Sequence, residues 1–255
     1  MLYNSENTLS ALRMRMYREM KNHSKSIIVI IMAFLMAISA PEAFAQGRIT
    51  RKNPVNPYQQ QVSKPSGYIN SHGYVDLGLP SGLKWATCNV GASSPEDYGD
   101  YFAWGETNTK ADYFYDNSLT LGKSLSELRS AGIINSSDVL NKSHDAARSN
   151  WGSTWRMPTK EEMEELNTEC TWRWTTQGGK KGYKVTGPNG RSIFLPAAGN
   201  RYGSSLHNAG ENGNYWSSSA YDDTYYAFYL YFYSGDHSVY WLGRGYGRSV
   251  RPVSE

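Results

Sequence analysis

Few side chains in this sequence have types and spacings suited to acid–base, nucleophilic or metal chemistry, and they are scattered. His72, His144, His207 and His237 show no i,i+3 or i,i+4 pairing and no companion Cys, which leaves little basis for a zinc site. Glu161, Glu162, Glu164 and Glu165 cluster, but on a helix they form a solvated face and nothing nearby would raise a carboxyl pKa. No G-x-S-x-G marks a hydrolase nucleophile. Two cysteines remain, Cys88 and Cys170. A disulfide between them would close a loop of roughly 80 residues and contribute a few kcal/mol, and two unbridged thiols are the alternative, because sequence does not fix the distance between them. No catalytic set, metal or cofactor is expected.

Aromatic hydroxyls are far more abundant. Nine of the 20 Tyr fall between Tyr215 and Tyr246, interleaved with Ser, Asp, Gly and Arg. Such a mixture suits a contact surface, since Tyr offers area and a hydroxyl for little lost rotamer freedom; the plainer reading is that aromatics are common in strands and pair across them. From Tyr225 to Tyr233 the residues alternate as a strand requires. Tyr226, Phe228, Leu230 and Phe232 form the expected core face, whereas Tyr225, Ala227, Tyr229, Tyr231 and Tyr233 form the expected outer face. A turn at Ser234, Gly235 and Asp236 leads into a second strand, Ser238 to Leu242, completing a hairpin. The candidate ligand-binding residues are Tyr221, Asp222, Asp223, Tyr225, Tyr229, Tyr231, Tyr233, Asp236, His237, Tyr240, Trp241 and Arg244. Six Trp (85, 104, 151, 155, 172 and 174) read as core, while Trp216 and Trp241 border the tyrosine stretch as contact candidates.

The elements that must position this hairpin are short. Strands are expected at Tyr74–Leu79, Leu83–Cys88, Thr171–Thr175, Tyr183–Thr186 and Ser192–Leu195, with Gly/Ser/Asn loop from Pro196 to Trp216. One short helix is expected over 143–148, capped by Ser143. A second follows Thr159, whose capping box with Glu162 places Met163 and Leu166 on one side. Ser124 to Arg129 has room for a further turn or two. The expected class is α+β with small antiparallel sheets and two short helices.

The amino end reads as export. Lys21 and Lys25 precede an apolar run from Ile27 to Ile38 and an Ala43-Phe44-Ala45 site, so residues 1–45 are expected to be a cleaved signal peptide, with no membrane span afterwards. Residues 46–72, with three Pro and no apolar periodicity, read as a flexible linker to a domain over 73–255. Without residues 1–45 the chain carries 21 Lys/Arg against 20 Asp/Glu, and no clustered basic stripe points to nucleic acid.

Several segments together resemble one family. YVDLGLPSGLKWATCNVGA (74–92), DYFAWGET (100–107), WGSTWRMPTKEEMEEL (151–166), GYKVTGPNGRSIFLPAAG (182–199), YWSSS and the SVRPV ending resemble the Fibrobacter major paralogous domain family of secreted bacterial proteins. That family is similar to the C-type-lectin-like fold shared with formylglycine-generating enzymes and with retroelement-diversified variable receptor proteins. The resemblance implies a compact C-type-lectin-like domain whose C-terminal strands display a ligand-binding face. In variable receptors the diversified positions are rich in Tyr, Asn, Asp, Ser and His, an alphabet that Tyr221, Asp222, Asp223, Tyr225, Tyr229, Tyr231, Tyr233, Asp236, His237 and Tyr240 fit; Tyr215-Trp216 and 249–251 look like frame. Formylglycine generation needs neighbouring cysteines near the chain's end, which are missing here. The triplets of calcium-dependent sugar-binding lectins are missing too, leaving Asp222-Asp223 and Glu211-Asn212 as potential oxygen ligands.

The expected function is a secreted or cell-envelope, non-enzymatic recognition domain whose partner is a protein or glycan. The alternatives are a self-assembling envelope protein, whose tyrosine face packs on another subunit, and an enzyme of unknown chemistry on the same scaffold.

Overall fold

The computed structural model describes residues 62–255; the expected signal peptide and most of the expected linker lie outside them. The folded unit starts earlier than composition suggests. Strand β1 (Gly67–Ile69) pairs antiparallel with β2 (His72–Asp76), so the last part of the expected linker belongs to a sheet. β2 pairs with β3 (Lys84–Ala86), and β3 with β12 (Val253–Ser254), so the two ends of the described chain meet in one four-stranded sheet.

Three short helices follow, each set by a local signal. Helix α1 (Leu125–Ser130) has a complete capping box from Ser124 and Glu127, and α3 (Lys160–Glu169) has one from Thr159 and Glu162, devices of about 1 kcal/mol each. Met163 and Leu166, three residues apart, put one stripe of α3 into the core. Between them, α2 (Ala146–Trp151) is capped by Asp145, not by Ser143 as the sequence suggests. Residues 142–144 form a separate 3₁₀ turn because the Asp145 carboxylate takes both the Arg148 and the Met157 backbone N–H groups.

After α3 the chain is all strand. β4 (Thr171–Gln177), β5 (Lys180–Thr186) and β6 (Ser192–Pro196) make one antiparallel meander, and β7 (Asn200–Tyr202) and β8 (Ser205–His207) a two-stranded ribbon. The sheet that carries the tyrosines has the order β11-β10-β9, from β9 (Asn212–Ala220), β10 (Tyr226–Tyr233) and β11 (Asp236–Gly243). The architecture is α+β with small antiparallel sheets and three short helices. Among the described residues, no helix is long and apolar enough to cross a membrane.

Two apolar cores flank this last sheet. One gathers Trp104, Trp151, Trp155, Trp216, Ala227 and Tyr229; the other gathers Trp85, Val185, Leu195, Tyr215, Leu230 and Phe232. β10 runs between them and buries side chains on both faces. Gly213 is required where it stands, because a Cβ there would enter the Phe232 ring opposite. The cysteines belong to different cores, Cys88 packing against the first and Cys170 against the second. Both are free thiols, the second of the two alternatives the sequence leaves open.

Candidate functional surface

The two-residue turn Ser234-Gly235 sets the hairpin register: Tyr229 lies opposite Tyr240, Tyr231 opposite Ser238, and Phe228 opposite Trp241. One face of the hairpin therefore carries Tyr229, Tyr231, Tyr233, Tyr240 and Leu242. The other carries Phe228, Leu230, Phe232, His237, Val239 and Trp241. The expected site residues are divided between the two faces.

On the first face the tyrosines form a ladder, with ring centroids 6.2 Å apart for Tyr229–Tyr231, 6.1 Å for Tyr231–Tyr233 and 6.0 Å for Tyr231–Tyr240. Exposure rises along it. Tyr229 is 7% exposed, Tyr231 half-buried, and Tyr233 and Tyr240 are 43% and 41% exposed. The expectation of an outward Tyr229 is thus overturned. Its ring is stacked 3.6 Å from the Arg248 guanidinium and meets the Trp216 ring edge-on at 6.0 Å. Trp216, expected as a contact residue, is fully buried there.

On the second face Trp241, 47% exposed, stacks on Tyr221 at 4.9 Å with rings 7° from parallel, and Phe228 meets both edge-on. Lys160 places its ammonium 4.8 Å from the Phe228 ring. Tyr226 and Phe228, expected in the core, are only half-buried because they lie at the open end of the hairpin. His237 is held inward, stacked on Trp172 at 4.5 Å with Nδ1 2.6 Å from Asn167 Oδ1, and burial lowers its pKa.

Arg244, expected at the rim, is completely buried. Its guanidinium donates to the carbonyls of Tyr226 (2.8 Å), Lys123 (2.9 Å) and Asp223 (2.7 Å), tying the 221–224 loop to the 120–123 loop. Burial pulls its pKa down to about 10, so it stays charged at neutral pH. Arg244 therefore supports the loop that presents Tyr221, Asp222 and Tyr225 and touches nothing outside. Asp223 faces inward in part, its carboxylate accepting the Tyr225 N–H, while Asp222, Tyr225 and Asp236 are exposed.

A second exposed aromatic group lies at the end of β7 and on a loop the sequence left undistinguished. Phe114, Tyr115 and Tyr202 are exposed, and Tyr202 and Tyr115 sit 5.2 and 6.4 Å from Tyr246. Tyr246 in turn sits 5.6 Å from the Arg248 guanidinium. Rings therefore run in series from Tyr115 through Tyr246, Arg248 and Tyr229 to Tyr233 and Tyr240. A polar recess of about 560 Å³, lined by Glu106, Asn108, Lys110, Asn117 and His144, lies in the same loop region as Phe114 and Tyr115. Inside it Lys110 is bound by Glu106 and Asn117, so the loop satisfies its own charges. Among the described residues no group of three or more His, Cys, Asp or Glu is placed to hold a metal ion.

The chain matches no family model, no curated protein and no solved structure.

Proposed function

We propose that this chain is a secreted or surface-held, non-enzymatic recognition protein of the Fibrobacter major paralogous kind, with a C-type-lectin-like domain over 62–255 that binds a protein or glycan through its C-terminal aromatic surface. The reading rests on one observation: Tyr233, Tyr240 and Trp241 on the strands, and Tyr225 on the loop before β10, present large exposed rings beside neighbours that are locked in two cores. Exposed aromatics on a rigid support are what contact hot spots are made of, since little order is lost on binding. Asp222 and Asp236 supply a polar rim. The contact set is narrower than the sequence suggests, because Tyr229 and Arg244 act from below the surface.

A glycan and bacterial-surface-protein array, probed with the wild-type chain and with a Tyr233→Ser/Tyr240→Ser double variant, tests this. Binding should fall at least about tenfold in the variant, the loss expected of one good aromatic contact. Unchanged binding would place the contact elsewhere.

A further inference from the structure

β11 is an edge strand. Among the described residues its only sheet neighbour is β10, and three of its eight residues in a row, Tyr240, Trp241 and Leu242, are exposed. Edges of this length are usually blunted by Lys, Pro or a bulge. The sequence DHSVYWLG has no Lys or Pro, and its pairing with β10 runs without a register break. The tight turn makes Tyr233 and Asp236 the closing hydrogen-bonded pair, and such pairs alternate along an antiparallel ladder. The backbone N–H and C=O of His237, Val239 and Trp241 therefore point away from β10. The His237 N–H is taken by the Asp236 carboxylate at 2.8 Å. Val239 and Trp241 are left as the outward backbone groups of the strand's middle.

We propose that β11 pairs antiparallel with β11 of a second copy about a two-fold axis at Tyr240. In that register Val239 lies opposite Trp241 of the second copy and exchanges both backbone hydrogen bonds with it. Symmetry repeats the exchange, so the four outward groups on each strand are satisfied in full. The side-chain partners suit one another as well: a β-branched residue meets an aromatic on one face, and Tyr240 meets Tyr240 of the second copy on the other. The single carboxylate of the strand, Asp236, lies at opposite ends of the pair, roughly 27 Å from its equivalent at about 3.4 Å per residue, so like charges do not oppose. A register centred on Val239 would call on the His237 N–H, which is already engaged, in the pair next to its axis, whereas the register centred on Tyr240 meets that group only at the far end of the pairing, opposite Gly243. The result is a continuous six-stranded sheet in which Tyr231, Tyr233 and Tyr240 of the two copies form one surface. The pairing stands by itself; only the bivalent character of that surface, with the gain in avidity it brings, rests on the recognition reading.

Sedimentation equilibrium of the secreted chain should show a concentration-dependent monomer–dimer equilibrium. Val239→Pro deletes an outward donor where an edge strand tolerates proline, and Trp241→Lys places a charge on the edge. Each should yield monomer while retaining the wild-type circular dichroism. The register has its own test. Opposed residues at a non-hydrogen-bonded position have Cα atoms about 4.5 Å apart, within disulfide reach, so Tyr240→Cys should cross-link two chains under mild oxidation and Ser238→Cys should not. A wild-type chain that stays monomeric at high micromolar concentration overturns the proposal. So does a dimer that survives both edge variants or cross-links better through Ser238→Cys. Ligand binding on the array with monomeric wild type would sink the pairing alone, and a confirmed dimer without ligand would sink the recognition reading alone.

Discussion

Tyr229 and Tyr233 are four residues apart on one face of one strand, yet they have different physical roles. Tyr229 stands beside β9, where Trp216 and Arg248 close over it; Tyr233 stands at the turn, where nothing does. What separates them is their surroundings. The inner half of the sheet is a cage built around buried arginines, and the outer half is a bare ladder of rings.

The cage can be broken at three depths. Arg251 makes four hydrogen bonds: Nε donates to Asn89 Oδ1 at 2.8 Å, Nη1 to the Ala86 and Thr87 carbonyls at 3.0 and 2.9 Å, and Nη2 to the Phe194 carbonyl at 3.0 Å. Arg251→Met strands four acceptors, three of them buried, and at about 1 kcal/mol or more for each the loss should be about 4 kcal/mol by urea denaturation, the largest effect expected here. Tyr229→Ser empties a ring-sized space beside Trp216 and should cost about 3 kcal/mol, whereas Tyr233→Ser should stay within about 0.5 kcal/mol. Equal costs for the two tyrosines would end the distinction between inner and outer halves. Arg248 offers the sharper case. Its guanidinium is 1% exposed and stacked on Tyr229 and Trp216, but Nε and Nη1 have no hydrogen-bond partner, and burial pulls its pKa down to about 10. Stacking gains are offset by desolvated donors, so Arg248→Met should cost no more than about 1 kcal/mol. Arg248→Lys, which keeps the charge without the planar stack, should cost more than Arg248→Met.

What the sequence reveals follows the range of the interactions involved. Capping boxes at Thr159 and Ser124 are local, and the helices they start are where the residues place them. The hairpin is legible for the same reason: alternation and a Ser-Gly turn are short-range signals. β9 is not, because Ser217, Ser218 and Ser219 read as loop formers. Their burial depends on distant partners: the Ser218 hydroxyl reaches the Pro158 carbonyl, and Ser219 Oγ receives the Lys160 N–H. Arg244, Arg248 and Arg251 are hidden likewise, since their charge looks like surface until the carbonyls and rings around them are assembled by residues up to 165 positions away. Period-two alternation assigns Tyr229 and Tyr233 to the same face correctly. How deeply each is covered is decided by the neighbouring strand, which no local pattern encodes.

The smallest expected effect concerns how the outer half is fastened from behind. His237 turns to the inner side of β11 and stacks on Trp172, and burial lowers its pKa below the usual 6.5, with Asp236 opposing in part; Asn167 Oδ1 accepts from its Nδ1–H, and the Tyr183 ring borders it edge-on. A histidine whose folded-state pKa is depressed binds protons more readily when unfolded, so its contribution is whole above the unfolded value and is lost as pH falls from about 6.5 through the folded value. His72, stacked on Trp151 at 3.8 Å in the other core and likewise lowered by burial, acts with the same sign. The melting temperature should therefore fall modestly between pH 7.5 and 5.5. His237→Phe, which keeps the stack without the titration, should flatten part of that slope, and His72→Phe the rest. Hydrogen exchange separates the halves directly: once the intrinsic slowing of exchange at lower pH is divided out, acidification should lower the protection factors at the β10–β11 turn in the wild type and not in His237→Phe, while amides around Arg248 keep theirs in both. Protection lost at both ends together would mean that the cage and the ladder open as one unit.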